Sequence, residues 1–530
     1  MTRPDYVEET VGALLDRSAD AVPDGLALAI ADRRLTYAQL RAEVDAVAAG
    51  LLAAGVRPGE RICLFTPNLP ESYVALLAAT KIGAVFVPLN PRLTPRELEY
   101  TLTASGAVAL LFVPHWRGID YVERLRALWP NLGDGGLAAG VGDVRLLVTL
   151  RGELSGAVGY DELLRIGRPA PWPQRRIDAQ RRVRGTDIAL LQFTSGTTST
   201  PKGVLLAHAP TARMAAELGE RFALTEADDY FGCPPICHIG GTSFSFLAVM
   251  SRGATFFTLP VFDADDALAT IDQERCTVLH GIDSHLHLLM SAKSFQPATL
   301  GLRLVSVSGV EQTVRSVAAA FPDAVVISQY GSTELGGGPI CSGATDPEAV
   351  RLGSVGRPLP GVDIVTADNG EIRVGGWSLM DGYLDQPEAT AQVFDESGRV
   401  RTGDLGYVDD DGCVHFTGRL KNMLRTGGEN VSVEEVESVL GGFPGVTLAV
   451  VVGVPDGRLG EVGYAFLLAD PAAAATIDID AVRRYCREQL ATYKVPRHFE
   501  VCDSGRLAVT ASGKVQRAEL RSLAQQALDR

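Results

Sequence analysis

The chain has 530 residues, 46% of them hydrophobic and 21% charged, with a formal net charge of −15. That length exceeds what one hydrophobic core organises, so two or more domains are expected. The negative balance argues against a nucleic-acid partner, which needs a basic surface to neutralise phosphates. The charge is uneven: residues 419–530 carry 14 basic and 14 acidic side chains, leaving 35 against 50 before them, so a neutral module follows an acidic body.

In chain order, TYAQLRAEVDAVAAGLLAAG places apolar residues at helical spacing and ends at glycine. ERICLFTP then reads as a strand, LPESYVALLAATKIG as a helix, AVFVPLN as a short buried strand, PRELEYTLTASG as a proline-started helix and VALLFVP as another strand. The alternation resumes through ATFFTLPVF, ALATIDQERC, TVLHGI, LRLVSVSG, VRSVAAAF and AVVISQYG. Strands separated by helices of this length imply mostly parallel sheets with right-handed crossovers. The segment QRRIDAQRRVRG reads as a basic surface linker. After about residue 350 the texture changes to short strands with turn signals at Asn369-Gly370 and Asp411-Gly412, expected to form a small antiparallel barrel or sheet. Beyond residue 418 the pattern returns to α/β, with VSVEEVESVLGGF a helix that Ser432 can cap and DIDAVRRYCREQLATYKVP a helix stopped at Pro496.

The most apolar run, YVALLAATKIGAVFVPL, is interrupted by Lys81 and ends at Pro88, too short to span a bilayer. The opening MTRPDYVEET resembles neither a signal nor a transit peptide, so a cytoplasmic protein is expected. The eight cysteines are scattered. Cys233, Cys237 and His238 lack a second ligand pair at zinc spacing and are read as core or pocket residues.

Only six of the 49 basic residues are lysine, two of them in the glycine-flanked loops TPKG and SGK. Lysine offers a compact point charge where the guanidinium fork does not fit. TSGTTSTPKG, residues 194–203, has nearly the spacing of a P-loop, but Pro201 stands at the second glycine and Gly203 at the metal-binding hydroxyl. Its small residues suit a nest of N–H groups around phosphate oxygens, or a solvated turn. In SQYGSTELGG, Tyr330 offers a flat face and Glu334 a carboxylate for a divalent metal; a core tyrosine and a surface glutamate read as well. Asp404 in RTGDLG suits vicinal hydroxyls, as acidic residues do on ribose. Lys514 in ASGKVQR is either a catalyst or a solvated charge.

The ordered series LTYAQL (35–40), FTSGTTSTPKG (193–203), YGSTE (330–334), GYLDQPEAT (382–390), TGDLGYVDDDG (402–412), GRLKNMLRTGGENVSVEEVE (418–437), YKVPR (493–497) and TASGKVQR (510–517) resembles the adenylate-forming superfamily of acyl- and aryl-CoA synthetases, peptide-synthetase adenylation domains and luciferases. The resemblance implies an α/β fold. Residues 1–418 would be an N-terminal adenylation domain of mostly parallel sheets, with a β-rich barrel subdomain over about 350–418. Residues 419–530 would be a small mobile α+β domain. It also implies ATP, Mg2+ and coenzyme A. By the same resemblance Thr194, Ser195, Gly196, Thr197, Thr198 and Lys202 hold the ATP phosphates, with Ser332 and Thr333 beside them. Tyr330 stacks on adenine with Gln329 and Gly331 nearby, and Gly309, Val310 and Glu311 form the opposite wall. Glu334 takes the metal, Asp404 the ribose with Arg419 close by, and Lys514 the carboxylate and α-phosphate, where it neutralises developing charge. Lys421 matches the hinge, and Gly427 and Gly428 the pantetheine tunnel. Three departures stand out: Ser199 and Thr200 in the phosphate loop, residues 307–313 in the adenine wall, and Ala508 and Val509 where a proline and a basic residue are usual.

His238, Ile239, Ser308, Gly336 and Gly337 are expected to line the acid pocket. The segment PPICHIGGTSFSF holds no carboxylate for an ammonium, so an amine-free acid is favoured. The glycine run 336–338 suggests room for a bulky acid, or simply turns. The YKVP and GGEN spellings resemble CoA ligases, and the ending QALDR lacks the SKL of luciferases. The leading expectation is an acid–CoA ligase of secondary metabolism, with a homodimer left open. The alternatives are a stand-alone adenylating enzyme loading a carrier-protein pantetheine and a member retaining one half-reaction.

Overall fold

The computed structural model describes residues 9–134, 141–194, 201–420, 423–426, 429–456, 459–469, 477–490, 492–502 and 515–528. The chain forms two compact units, one of residues 1–280, 331–339 and 375–400, the other of 281–330, 340–374 and 401–530. The five dividing points all fall inside strands, among them Val278–Ile282 and Val325–Ser332, and each unit contains pieces far apart in sequence.

The first unit is built on an eight-stranded sheet. Its parallel part runs Ile188–Thr194, Val85–Pro88, Arg61–Phe65, Ala107–Phe112, Leu146–Thr149 and Val158–Gly159. Lys202–Ala207 then returns antiparallel on Ile188–Thr194, and Gly382–Tyr383 adds antiparallel outside it. A second sheet in this unit places Leu26–Ile30 and Asp229–Gly232 on either side of Thr255–Phe257, all parallel. The helices form as their sequences dictate. Thr36 and Gln39 close a capping box on Tyr37–Ala53, and Thr94 with Glu97 does the same for Pro95–Ser105, which ends at left-handed Gly106. Every residue of the helix Pro70–Lys81 is buried, so the long apolar run is a core helix joined to a core strand. Among the described residues no helix is long and apolar enough to cross a membrane.

Lys81 is the largest surprise in this unit. Its ammonium is 1% exposed and sits 2.6 Å from Asp16 and 2.7 Å from Asp45. The segment read as a basic linker supplies the rest of this network. Trp172–Gln180 is a helix whose Gln180 amide donates to Asp16 and whose Arg176 lies 3.3 Å from Asp45. The linker reading fails because arginine stems pack along a helix while their heads seek carboxylates, so a basic composition does not by itself mark a solvated segment.

The second unit contains the parallel pair Leu304–Ser308 and Val325–Ser332 and a four-stranded sheet ordered Val362–Thr366, Glu371–Gly376, Val400–Val408, Val414–Arg419. Gly370 and Gly412 take positive φ of 80° and 74° at the two predicted turns. Its last part is a small sheet in which the long hairpin Val446–Asp456/Gly460–Ala469 is flanked by Met423–Thr426 and, in parallel, by His498–Cys502. Ser432 caps Val433–Gly441 as expected and its hydroxyl also donates to the Thr417 carbonyl. The helix Ile479–Gln489 ends seven residues before Pro496, at an extended Leu490, so the proline does not terminate it. Arg517 forks onto both oxygens of partly buried Glu437 at 2.6 and 2.8 Å and also donates to the Val451 carbonyl. Burial pushes the Glu437 carboxyl up and Arg517 opposes that shift.

His208, fully buried at the start of His208–Arg221, accepts the Val11 amide at Nδ1 over 3.2 Å. Burial pushes its pKa down from 6.5 to about 4. A histidine held neutral binds protons more weakly folded than unfolded, so its contribution is present above pH 6.5 and is lost as pH falls toward 4. The full loss is on the order of 3 kcal/mol. Denaturant unfolding followed across that window should show stability falling with pH, and His208→Gln should flatten the fall.

Candidate active site

Most of the sequence-flagged residues fall into two clusters, one in each unit. In the second unit the parallel strands Leu304–Ser308 and Val325–Ser332 end side by side. Their carboxyl ends present Ser308, Gly309 and Val310 beside Gln329 and Tyr330, the position where open α/β sheets take ligands. The Gln329 amide donates to Ser308 Oγ at 2.8 Å. Gly309 admits no side chain, because a Cβ there would lie 2.0 Å from Asp283 Oδ1. That carboxylate accepts the Val310 amide at 3.3 Å, and burial pushes its pKa up to about 6. Glu311 opens the following helix with its carboxylate on Arg315, at 2.7 and 2.9 Å, leaving its backbone beside the others.

Tyr330 donates its phenol to Asp404 Oδ2 at 2.6 Å, with its ring centroid 6.1 Å from that of Phe416. Burial and the Asp404 charge both push the phenol pKa up, so it stays a donor. Asp404 and Arg419 are register partners on adjacent antiparallel strands, and Arg419 Nε lies 2.9 Å from Asp404 Oδ1. The result is a buried carboxylate held by a phenol and a half-exposed guanidinium, next to an aromatic face. Such a group accepts hydrogen bonds from vicinal hydroxyls and discriminates against ligands lacking them.

In the first unit Thr194 pairs with Lys202 across the hairpin that encloses the phosphate-loop motif. Ser195, Gly196, Thr197 and Thr198 lie outside the described residues, as do Lys421, Gly427, Gly428 and Lys514. Thr194 Oγ1 is buried and has no hydrogen-bond partner among the described residues. Lys202 Nζ stands 4.7 Å from the centroid of the Tyr383 ring, and the Tyr383 phenol donates to Glu334 Oε1 at 3.1 Å. Glu334 sits in a turn fixed by backbone bonds from Leu335 to Ser332, from Gly336 to Thr333 and from Met380 to Glu334 itself.

The glycines around it are there for close packing. A Cβ on Gly331 would meet the Gly337 carbonyl at 1.8 Å, one on Gly336 the Ser378 carbonyl at 2.1 Å, and one on Gly338 the Phe244 ring at 2.0 Å. The volume they release holds backbone and an aromatic ring, so the run is not a measure of substrate size. His238 and Ile239 precede a π-helix, Gly240–Leu247, a wide turn frequent at functional sites. Thr242 Oγ1 donates back toward the His238 carbonyl at 3.3 Å and accepts the Gln192 amide at 3.1 Å. Cys233 and Cys237 are core residues, with the Cys237 thiol pushed up to about 12 by burial.

Sequence reasoning passed over Tyr383, Gln192 and Asp283. Only Tyr383 had a signal, the Gly-Tyr pair of GYLDQPEAT, whose neighbours carry no charge pattern that singles it out.

Family models match the chain as AMP-binding enzyme over residues 15–384 and as AMP-binding enzyme C-terminal domain over 435–514. A Rhodococcus jostii CoA ligase named for a 7a-methyl-1,5-dioxo-octahydro-1H-inden-4-yl propanoyl group is 35% identical, covering 97% of this chain and 98% of its own. A feruloyl-CoA synthase of Amycolatopsis is 34% identical over 95% of this chain and 97% of its own. The anthranilate CoA ligase AuaEII in complex with anthranoyl-AMP superposes with a TM-score of 0.84 at 26% identity, covering 99% of both chains. The chain therefore belongs to the AMP-binding enzyme family, the adenylate-forming superfamily, and within it to the AMP-forming acid–CoA ligases. These activate a carboxylic acid with ATP as an acyl adenylate and pass the acyl group to coenzyme A.

Asp404→Asn keeps the volume but removes the charge that Tyr330 and Arg419 share. ATP binding measured by calorimetry should weaken roughly ten- to hundredfold, the range for losing charged hydrogen bonds.

Proposed function

We propose that the acid is amine-free, with its carboxylate on a short arm of a bulky ring system. The carrying observation for the acid is the chemistry of residues 235–247, PICHIGGTSFSFL, which offers no carboxylate to an ammonium. The relatives add direction: one is named for a propanoyl arm on a fused bicycle, another for the feruloyl group. His238, Ile239, Ser308, Gly336 and Gly337 are the proposed lining.

For the nucleotide, Tyr330, with Gln329 and Gly331 beside it, is proposed to face adenine opposite the Gly309–Glu311 backbone, and Asp404 with Arg419 to take the ribose hydroxyls. Thr194 to Thr198, Lys202, Ser332 and Thr333 take the β- and γ-phosphates. The Thr194 hydroxyl, buried and without a hydrogen-bond partner among the described residues, supports this, because a buried donor without an acceptor calls for one from a ligand. Glu334 is the proposed Mg2+ ligand; a hard carboxylate suits that ion, and Tyr383 orients one of its oxygens. Magnesium, when bound, offsets the negative charge of the triphosphate. As the acid oxygen forms its bond to the α-phosphorus and pyrophosphate leaves, Lys514 stabilises the charge gathered there.

The same proposal divides the chain into residues 1–418 and a mobile 419–530 that turns at Lys421, with Gly427 and Gly428 lining the path of the CoA thiol. It places the enzyme in the cytoplasm and in secondary metabolism, and a homodimer is compatible with it.

Pyrophosphate release should be measured with a panel of aryl-propenoic, alicyclic propanoic, linear fatty and amino acids. The expected preference is for the ring-bearing three-carbon acids, with AMP and thioester forming once CoA is added. Equal or faster turnover of an amino acid would overturn the reading of residues 235–247.

A further inference from the structure

We propose that Tyr383 is a positioning residue that holds Lys202 and Glu334 apart as separately usable charges. The proposal rests on reading Lys202 as a phosphate ligand and Glu334 as the metal carboxylate.

The backbone of Tyr383 is fixed from both sides. Gly382–Tyr383 pairs antiparallel with the strand that leaves the phosphate loop, Val204 opposite Tyr383 and Leu205 opposite Gly382. Backbone bonds run from Leu384 to the Gly203 carbonyl at 2.8 Å and from Asp381 to the Leu205 carbonyl at 2.9 Å, while the Tyr383 amide donates to Thr390 Oγ1 at 2.9 Å. Gly382 has φ of 144°, and a Cβ on it would press on the Thr390 methyl at 2.9 Å, so the approach needs glycine. The ring that this backbone presents is 8% exposed.

That one side chain then meets two opposite charges in two different ways. Its π face takes the Lys202 ammonium and its hydroxyl donates to the Glu334 carboxylate. Burial, then the Glu334 charge, pushes the phenol pKa up, so it remains a donor. Without the ring, a lysine and a glutamate this close to a common neighbour would pair directly, and the attraction would grow as solvent is excluded. Such a pair would cancel the cation wanted by phosphate and the anion wanted by a metal, and ATP would have to break it. The π face is a weaker partner that a phosphate displaces from Lys202, while the hydroxyl keeps hold of one Glu334 oxygen and leaves the other to a divalent ion.

Two variants separate the two contacts. Tyr383→Phe keeps the ring under Lys202 and loses the hydroxyl; Tyr383→Leu loses both. Binding is read by calorimetry with ATP plus MgCl2, with ATP plus EDTA, and with AMP, which lacks the phosphates concerned. Tyr383→Phe should leave metal-free ATP binding at the wild-type Kd and cut the enhancement by magnesium about threefold to tenfold. Tyr383→Leu should weaken ATP about tenfold or more in both conditions, and both variants should bind AMP as the wild type does. Wild-type affinity for ATP in both variants, with and without magnesium, overturns the proposal. So does a parallel loss of ATP and AMP, which marks a general structural role. Failure of the wild type itself to bind ATP overturns the reading of the phosphate site beneath it.

Discussion

The constraint on which the first unit's chemistry depends is a reversal of direction. A sheet that is parallel through six strands turns antiparallel when Lys202–Ala207 folds back on Ile188–Thr194. A parallel connection would have needed a crossover helix and carried the chain away from the strand end. The hairpin instead locks Thr194 opposite Lys202, so both ends of the intervening segment are fixed. The same reversal creates an outer edge for Gly382–Tyr383 to pair on, and that pairing delivers Tyr383 to Lys202 and Glu334. The P-loop comparison thus breaks down for a structural reason: a P-loop runs from strand into helix, and this one runs from strand into strand.

In the second unit the corresponding constraint is the register of two antiparallel strands. Placing Asp404 opposite Arg419 puts a guanidinium on one carboxylate oxygen while Tyr330 claims the other. The backbone that leads in is equally determined: Gly403 has φ of 70° and donates to Glu371, and the Asp404 amide donates to Thr402 Oγ1. An ion pair this exposed on its arginine side adds little to stability. In the proposed ribose site its value would lie in holding an acceptor still, because a preorganised group loses less on binding than one that must be ordered.

The helices and strands were legible in the sequence where periodicity, a proline start and glycine stops agreed, as over Pro95–Ser105 with Gly106, and where Ser432 offered a cap; the capping boxes at Thr36/Gln39 and Thr94/Glu97 were not singled out. The charged motif residues were legible because carboxylates and lysines in Gly-rich turns point to chemistry. Other features turned on tertiary contacts that no local pattern carries. Lys81 looked like an interruption of an apolar run and is a buried cation between two aspartates. Residues 172–180 looked like a solvated linker and supply part of that network. The glycines at 331 and 336–338 could not disclose what fills their space, since that is set by Ser378 and Phe244 from distant stretches. The π-helix at 240–247 escaped because a window of small and aromatic residues has no distinctive period.

The most direct test of the account is a crystal structure of the protein with ATP bound. The account predicts the adenine against Tyr330, a ribose hydroxyl on Asp404, and terminal phosphate oxygens at Thr194 and Lys202, with the Tyr383 phenol still on Glu334. A nucleotide bound away from Tyr330 and Asp404, or phosphates seated without Thr194 and Lys202, would contradict it.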